Sequence, residues 1–275
     1  MPDKKYLKFT GRMVIVGFGS IGQGVLPLFL RHLDIAPSQI TIVTAEERGH
    51  DEALSLGVKF VVSPLTRDNF RAVLAPLLGT GDVLVNVSVD VSSLALVEFC
   101  FAQGALYLDT CIEPWPGGYT DPSLSPSARS NYALREAALE LRRKHPDAPT
   151  AVLTHGANPG LVSHFVKQAL IDVAGGIAAP KDRAGWAALA AKLGIKAIHI
   201  AERDTQVSTR SKRVGEFVNT WSIDGFFSEG SQPAELGWGS HEKHFPPDGA
   251  RHDFCSGAAI YLNRPGASTR VRSWT

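Results

Sequence analysis

A glycine-rich segment near the start of the chain has the spacing that binds a dinucleotide. It reads GFGSIG from Gly17 onwards, follows a predicted strand and precedes a predicted helix. In that context Gly17 makes the tight turn, Gly19 lets a pyrophosphate approach the backbone, and Gly22 packs the helix against the strand. The amide groups of Ser20 and Ile21 then face the phosphate at the helix N-terminus. The segment predicts a dinucleotide site, although a purely structural glycine turn has the same pattern.

Charged residues after the second predicted strand bear on which dinucleotide would bind. Glu46 could accept hydrogen bonds from the ribose hydroxyls and would repel a 2′-phosphate, which favours NAD. Arg48 lies two residues further on and could instead pair with the 2′-phosphate of NADP. A solvated charged turn has the same composition, so the residues alone leave both cofactors open.

Polar residues follow three more of the predicted strands. Asn86 and Ser88 follow the fourth strand, Thr110 the fifth and Thr154 the sixth. Ligands of parallel α/β sheets commonly lie at the carboxyl ends of the strands, so we expect these side chains to border the cofactor. Asp90 follows Ser88 and could instead bond the backbone within a turn.

A second set of residues could bind a cation. It comprises Glu202, Trp221 and Glu229 of the later part of the chain; Glu113 and Asn158 follow the fifth and sixth predicted strands at the ligand edge. Carboxylates pair with ammonium groups, and the face of an indole attracts them. Asn158 precedes a predicted helix and could serve only as its N-cap. Each of the others is more often structural than functional when it stands alone, so the set forms a site only if the fold brings its members together.

Several other chemistries do not fit the sequence. No G-x-S-x-G elbow for a serine hydrolase is present, and the HEKH segment at 241–244 lacks the spacing of a zinc protease. We expect His241, His244 and His252 to form a solvated cluster in a loop, with no metal bound. Lys and Arg number 28 against 27 Asp and Glu, which lacks the basic excess of general nucleic-acid binding.

The hydrophobic segments and the cysteines indicate where in the cell the protein would be found. No apolar run approaches the roughly 18 residues of a membrane span. The three cysteines, Cys100, Cys111 and Cys255, are far apart in the sequence. Such a set indicates reduced thiols, so we expect a cytoplasmic protein.

The elements that must position these residues change in type along the chain. Strands are predicted over 12–16, 40–45, 58–62, 82–89, 105–109 and 150–154, with helices over 67–78, 92–103 and 127–145. Apolar strands separated by helices indicate a parallel sheet covered on both faces. Beyond Pro159 the sequence predicts helices over 161–174 and 180–193, strands over 195–201, 214–227, 258–262 and 269–274, and long loops over 114–127 and 228–249. We therefore predict a Rossmann-type α/β domain over 1–158, followed over 159–275 by an incomplete α+β domain with a mainly antiparallel sheet.

Seven segments of the chain resemble the bacterial homospermidine synthase family. They are GFGSIG at 17–22, NVSVD at 86–90, LDTCIEPWPGGY at 108–119, THGANPG at 154–160, HIAERDTQ at 199–206, FVNTWSIDGFFSEG at 217–230 and AIYLNRPGASTRVRSW at 259–274. The resemblance implies a saccharopine-dehydrogenase-like architecture, a homodimer joined through the second domain, and a tightly held NAD. It also implies the synthesis of homospermidine from two putrescines with release of ammonia. By matching motif, Glu113, Asn158, Glu202, Trp221 and Glu229 would be the diamine-site residues.

Two other functions stay open. The first is an NAD(P)-dependent reductase of the saccharopine or carboxynorspermidine type, in which Arg203 or Arg210 could hold a substrate carboxylate. The second is a dinucleotide-binding module without catalysis. Members of the resembling family are considerably longer, so we expect the chain to lack a C-terminal part and to have little activity alone.

Overall fold

Strands and helices alternate in the first part of the chain, and the pattern changes beyond about residue 160. The computed structural model describes residues 4–203, 205, 207–239, 242–254 and 257–270. In chain order its elements are β1 (Leu7–Lys8), β2 (Met13–Val16), α1 (Ser20–His32), β3 (Leu33–Asp34), β4 (Ile40–Thr44), α2 (His50–Ser55), β5 (Lys59–Val62), α3 (Phe70–Leu74), β6 (Val83–Asn86), α4 (Ser93–Gln103), β7 (Leu106–Asp109), α5 (Asn131–Lys144), β8 (Ala151–Val152), α6 (Leu161–Val173), α7 (Arg183–Lys192), α8 (Ile223–Ser231), β9 (Pro233–Gly237), β10 (Gly249–Arg251) and β11 (Ala259–Pro265). Short 3₁₀ turns occupy Pro37–Gln39, Ser127–Arg129 and Gly266–Ser268.

A six-stranded parallel sheet organises the first part. Its strand order is β5-β4-β2-β6-β7-β8, and every neighbouring pair is parallel. Val16 pairs with Asn86 on one side, and Asn86 pairs in turn with Asp109. The carboxyl ends of three central strands therefore meet in register at one edge, where ligands of such sheets bind.

Helices cover both faces of this sheet. Alternate residues of β2 enter two different hydrophobic clusters, because successive side chains of a strand point to opposite faces. Val14 packs with Leu96 of α4 in one cluster, whereas Ile15 packs with Leu26 of α1 in the other. The predicted Rossmann-type α/β class is confirmed.

The later part contains helices and a three-stranded antiparallel sheet of order β10-β11-β9. This confirms the α+β character predicted from the sequence, and β11 corresponds to the strand predicted over 258–262. The strands predicted over 195–201 and 214–227 are wrong. The first of these segments has no regular structure, and the second contains the start of α8. The strand predicted over 269–274 lies largely outside the described residues, as do His241 and Cys255.

Helix α8 forms in a segment whose composition favours a strand. The side chain of Ser222 accepts a hydrogen bond of 3.0 Å from the backbone N–H of Gly225, which is an N-cap that satisfies a free donor of the first turn. This local cap outweighs the strand propensity of the nearby aromatic residues. The segment predicted as a loop over 228–249 instead contains the end of α8 and β9, whose first residue is Pro233 at the edge of its sheet.

Differences in the first part are smaller. The helix predicted over 67–78 shortens to α3, and the helix predicted over 127–145 begins only at Asn131, because Ser130 is its N-cap. The short strands β1 and β3 and helix α2 were not predicted. Among the described residues, no helix has both the length and the hydrophobicity to cross a membrane.

Candidate active site at the carboxyl edge of the parallel sheet

The glycine loop follows β2 and leads directly into α1. Gly17 has a φ of +88°, and a Cβ atom there would lie 2.8 Å from the Cα of Ser88. A Cβ on Gly22 would lie 2.9 Å from the carbonyl oxygen of Gly17 and 3.0 Å from the ring of Phe18. A side chain at either position would therefore clash, so the turn and the close contact between helix and strand both depend on glycine.

The N-terminus of α1 is open to an anion. Gly19 is its N-cap, and no atom lies within 4 Å of the position that a Cβ there would take. Ser20 and Ile21 are exposed in the first turn, which holds no acidic side chain. Free backbone N–H groups and the positive end of the helix dipole favour a phosphate at such a place. These residues fit the pyrophosphate of a dinucleotide.

Glu46 and Arg48 lie beyond β4 and contact each other. An oxygen of Glu46 lies 3.4 Å from a guanidinium nitrogen of Arg48, and both side chains are mostly exposed. The carboxylate that would accept ribose hydroxyls is therefore paired with the cation that would take a 2′-phosphate. This arrangement by itself favours neither NAD nor NADP.

A chain of hydrogen bonds joins the carboxyl ends of β6, β7 and β8. We call the five residues Ser88, Asn86, Tyr107, Asp109 and Thr154 the carboxyl-edge network. The Ser88 hydroxyl donates to Asn86 Oδ1 (2.6 Å), and Asn86 Nδ2 donates to the Tyr107 hydroxyl (3.3 Å). The Tyr107 hydroxyl donates to Asp109 Oδ2 (2.8 Å), and Asp109 Oδ1 accepts from the Thr154 backbone N–H. Asn86 is only 2% exposed, so it positions Ser88 rather than presenting its own amide to a ligand.

The last members of this network hold the loops after β7 and β8 together. Thr154 has a φ of +60°, which is uncommon for a β-branched residue, and its N–H is held by Asp109. A Cβ on Gly156 would lie 3.0 Å from the carbonyl oxygen of Thr110. Thr110 and Thr154 are both half-buried at this edge, as the sequence predicts, and their contact with a cofactor stays a prediction.

The carboxylates of Asp90, after β6, and Glu229, of α8, lie near enough to Glu113, after β7, for their charges to act on it. Burial, together with the negative charges of Asp90 and Glu229, raises the pKa of Glu113 from 4.5 to about 8. A hydrogen bond from the Cys111 thiol opposes these effects on the pKa of Glu113. Partial burial also raises the pKa of Glu229, and burial together with the charge of Asp224 raises the pKa of Asp90. A cation placed here would relieve the repulsion among these groups.

A cavity of about 1090 Å³ lies between this edge and the second sheet. Its lining includes Cys111 from the loop after β7, Thr154 after β8, Glu229 of α8 and Glu235 of β9. Two of these four side chains are carboxylates from the later part of the chain. The cavity therefore borders both the carboxyl edge of the parallel sheet and the second, antiparallel sheet.

Two other predicted site residues, Trp221 and Glu202, lie in the later part of the chain. Trp221 precedes α8, is 37% exposed, and has its ring centroid 6.2 Å from that of Phe226. Glu202 is exposed in an irregular segment, and no contact found within the described residues joins it to Glu113 or Glu229. The structure thus brings Glu113 and Glu229 together and leaves Glu202 apart from them.

Asn158 does not cap α6, contrary to the structural role considered for it. The N-cap of α6 is Gly160, whose φ is +130°, and the backbone N–H of Gly156 donates to the carbonyl of Pro159 (2.9 Å). The chain therefore makes a tight turn before the helix, and Asn158 lies exposed within that turn. Its side chain is available to a ligand.

The predicted solvated histidine cluster is wrong for His252. This side chain is buried, its Nδ1 lies 2.8 Å from the hydroxyl of Ser127, and its ring packs 4.8 Å from that of Tyr132. His252 directly follows β10 and lies between the second sheet and the start of α5, where Tyr132 is located. His244 is exposed. Among the described residues, no group of three or more His, Cys, Asp or Glu side chains is arranged to hold a metal ion.

Sequence reasoning missed Tyr107, Tyr119 and Glu235. Tyr107 lies within an apolar strand, where a tyrosine is usually read as part of the hydrophobic core. Its hydroxyl instead links Asn86 of β6 to Asp109 of β7. Glu235 lies in a segment predicted as a loop. The available signal was the position of Tyr107 two residues before Asp109, since alternate residues of a strand point to the same face.

The parallel sheet with its glycine loop defines a Rossmann-type α/β protein, and comparisons with known proteins agree. The family model of the saccharopine dehydrogenase NADP binding domain matches residues 13–153, and that of the saccharopine dehydrogenase C-terminal domain matches residues 156–274. The chain belongs to the saccharopine dehydrogenase family. The boundary between residues 158 and 159 stays a prediction.

Named relatives are more specific. The chain is 51% identical over 277 residues to a homospermidine synthase of Blastochloris viridis and 48% identical over 278 residues to one of Mesorhizobium japonicum. A solved homospermidine synthase from Legionella pneumophila, in complex with NAD, has a TM-score of 0.82 and 47% identity. Each match covers 98% of this chain but only 58%, 57% and 57% of the respective relative. The chain thus spans less than two thirds of their length.

Proposed function

We propose that the chain belongs to a homospermidine synthase, which joins two putrescines through imine intermediates, releases ammonia and regenerates its NAD. The observation that carries this proposal is that the charges of Asp90 and Glu229 act on Glu113 at the carboxyl edge of the parallel sheet, where Glu229 also lines the cavity. A carboxylate site suits a diamine, which carries two positive charges, and the names of the relatives point to the same chemistry.

The proposed NAD site uses the residues at the carboxyl edge. Gly17, Gly19 and Gly22 shape the loop, Ser20 and Ile21 present backbone N–H groups, and Glu46 accepts the ribose hydroxyls. Asn86, Ser88, Thr110 and Thr154 border the same edge. When bound, a nicotinamide supplies reversible hydride acceptance, which allows an amine-bearing carbon to be oxidised and a later imine to be reduced. We expect nucleotide released from denatured protein to be NAD; finding only NADP would contradict this assignment.

The side chains have separate tasks in this proposal. Glu229 and Glu202 bind ammonium groups, and the exposed side chain of Asn158, next to Pro159 of the cavity lining, can donate or accept a hydrogen bond. Glu113, whose pKa is about 8, can take a proton from an ammonium and return it near neutral pH, which formation and reduction of an imine require. Trp221 offers an indole face to a cationic iminium, an attraction of about 2 kcal/mol when desolvated.

A reductase of the saccharopine or carboxynorspermidine type has less support. Its substrate carboxylate needs a free cation near the site. Arg210 pairs with Glu216 at 2.6 Å, and Arg203 is exposed in the same irregular segment as Glu202. The groups that meet beside the network are acidic, which favours an amine over a carboxylate.

Product analysis tests the reaction. Putrescine and NAD are incubated with this chain, and with a version extended to the length of the relatives, without added reductant. The proposal expects homospermidine and ammonia by mass spectrometry with no net formation of NADH. Consumption of NADH or NADPH with a carboxylate-bearing substrate would instead support the reductase.

Binding tests the diamine site on this chain. We expect Glu229→Gln to raise the putrescine Kd about tenfold, because it removes a charge partner. Glu52→Gln, an exposed carboxylate of α2, is the control and should leave the Kd unchanged. Equal Kd values for all three proteins would place Glu229 outside the diamine site.

We also propose a cytoplasmic homodimer with the domain division at residues 158 and 159. The resemblance supports the dimer, and the widely separated cysteines support a reducing compartment. The dimer is expected of the version extended to the length of the relatives; light scattering after size-exclusion chromatography tests it, and a monomeric mass of that version at micromolar concentration would contradict it.

A further inference from the structure

We infer that Glu235 of β9 is a positioning residue, which holds the loop carrying Cys111 and Glu113 by binding the start of α5. The inference rests on the proposed function, because it concerns the same carboxylate site. Glu235 lies in the second sheet and more than a hundred residues after the loop that it would hold. It therefore links the two parts of the chain at the cavity.

The first contact joins Glu235 to the N-terminus of α5. One carboxylate oxygen accepts a hydrogen bond from the backbone N–H of Asn131 (2.7 Å), and the other accepts from the N–H of Tyr132 (3.0 Å). These are the first two residues of a fourteen-residue helix, whose early N–H groups have no partner within the helix. Charged acceptors at this position are favoured by the helix dipole. Both oxygens are occupied, so Glu235 borders the cavity but is suited to fixing α5 rather than to binding substrate.

The second contact continues from Asn131 to the loop. Its side-chain Nδ2 donates to Gln232 (3.1 Å), which orients the amide so that Oδ1 faces the hydroxyl of Tyr119 (3.3 Å). The same hydroxyl also faces the carbonyl oxygen of Ile112 (3.0 Å), so its one proton is shared between these two acceptors. Ile112 lies between Cys111 and Glu113 in the sequence. The position of α5 is thereby transmitted to the peptide that carries the cavity thiol and the carboxylate with the raised pKa.

The loop is held from the other side by α4. The backbone N–H of Glu113 donates to the hydroxyl of Ser93 (3.0 Å), and the N–H of Ser93 donates to the carbonyl of Glu113 (2.8 Å). Ser93 belongs to the first part of the chain, so this contact is independent of the second sheet. Loss of Glu235 should therefore loosen the loop without detaching it. A positioning effect can then be measured in a chain that still folds.

The test compares Glu235→Gln, Tyr119→Phe and the double variant with the unchanged chain. A glutamine has one acceptor oxygen in place of two, and the phenylalanine removes the hydroxyl that contacts Ile112. We expect each single variant to raise the putrescine Kd roughly tenfold and the double variant to raise it by no more than about that factor, because both act on one network. The NAD affinity should not change. A hundredfold loss in the double variant would mean independent roles and would overturn the inference.

The matched control is Asp182→Ala. Asp182 caps α7 by accepting from the N–H of Gly185 (2.7 Å), and it has no part in the cavity lining. Its loss should lower the melting temperature while leaving the putrescine Kd unchanged. A raised Kd in this control would show that loss of any helix cap weakens the site, and it would overturn the specific role of Glu235.

Hydrogen exchange in the absence of ligand separates this inference from the proposed function. We expect amide exchange over residues 111–119 to become faster in Glu235→Gln and in Tyr119→Phe, and to stay unchanged in Asp182→Ala. If the unchanged chain fails to bind putrescine, the proposed function fails, and faster exchange would still support positioning. If Glu235→Gln does not fold, Tyr119→Phe, which keeps the helix cap, decides the matter. Unchanged exchange over 111–119 in a folded Glu235→Gln, or in Tyr119→Phe, would overturn the inference.

Discussion

The backbone of Ser88 lies against Gly17, so that a Cβ at residue 17 would be 2.8 Å from both the Cα and the nitrogen of Ser88. Gly17 also has a φ of +88°. We predict that Gly17→Ala lowers the free energy of unfolding by roughly 2–4 kcal/mol, through backbone strain and displacement of the β6 end. Gly24→Ala is the control, because a Cβ at that exposed helical position meets no atom within 4 Å. Equal denaturation midpoints for the two variants would contradict the prediction.

Gly19→Ala should affect NAD binding strongly and stability only slightly. Space for a Cβ exists in the protein alone, since nothing lies within 4 Å, but a pyrophosphate at the helix N-terminus would meet the new methyl group. We predict a small decrease in melting temperature, because alanine is a poorer N-cap than glycine, and a loss of at least about tenfold in NAD affinity. Calorimetric titration with NAD, beside a thermal melt, measures both. Unimpaired NAD binding would show that the nucleotide does not approach this residue.

These glycines show how far the sequence alone predicts the fold. The parallel sheet was predictable because its strands are continuous apolar segments, and the glycine spacing located the first turn. The second part was less predictable. Its aromatic composition around residues 223–227 favours a strand, but these residues form the start of α8 after the N-cap at Ser222. Strand β9 begins with a proline, which weakens the strand signal, and its pairing partner β11 lies more than twenty residues away.

The pH dependence of stability should report on Glu113. Its pKa is about 8 in the folded chain against an ordinary value of 4.5, so the folded state binds this proton more tightly than the unfolded state. The stabilisation is therefore fully present below about pH 4.5 and is lost as the pH rises to about 8. We predict that Glu113→Gln melts at a higher temperature than the unchanged chain near pH 8, and that the difference shrinks towards pH 5. Parallel profiles of melting temperature against pH would refute the raised pKa.

Trp221→Phe tests the cation–π contribution. A phenyl face attracts a cation less than an indole face does, so we predict a five- to tenfold lower turnover in the extended enzyme with unchanged NAD affinity. Trp186→Phe is the control, because Trp186 lies on α7, where its ring already has Nζ of Lys167 at 5.6 Å from its centroid. If both tryptophan variants keep full turnover, Trp221 lies outside the diamine site.

The candidate site was only partly predictable, because its residues come from segments that are far apart in the sequence. Glu113 follows a strand, and the carboxyl edge of a parallel sheet predicts where it lies. Glu229 and Glu235 reach the same cavity from α8 and β9, and no local spacing connects them to Glu113. Asn86 was predicted at the right edge, but its burial shows that its amide serves Ser88 and Tyr107.

The carboxyl-edge network determines when the site becomes ordered. From Ser88 to Asp109 its side chains are tied to one another, and Asp109 in turn holds the backbone N–H of Thr154. The conformational entropy of this edge is therefore lost when the chain folds, not when a ligand arrives. If the proposed cofactor binds here, it meets groups that are already in place, so little of its binding energy is needed to arrange this edge and more remains for the reacting atoms.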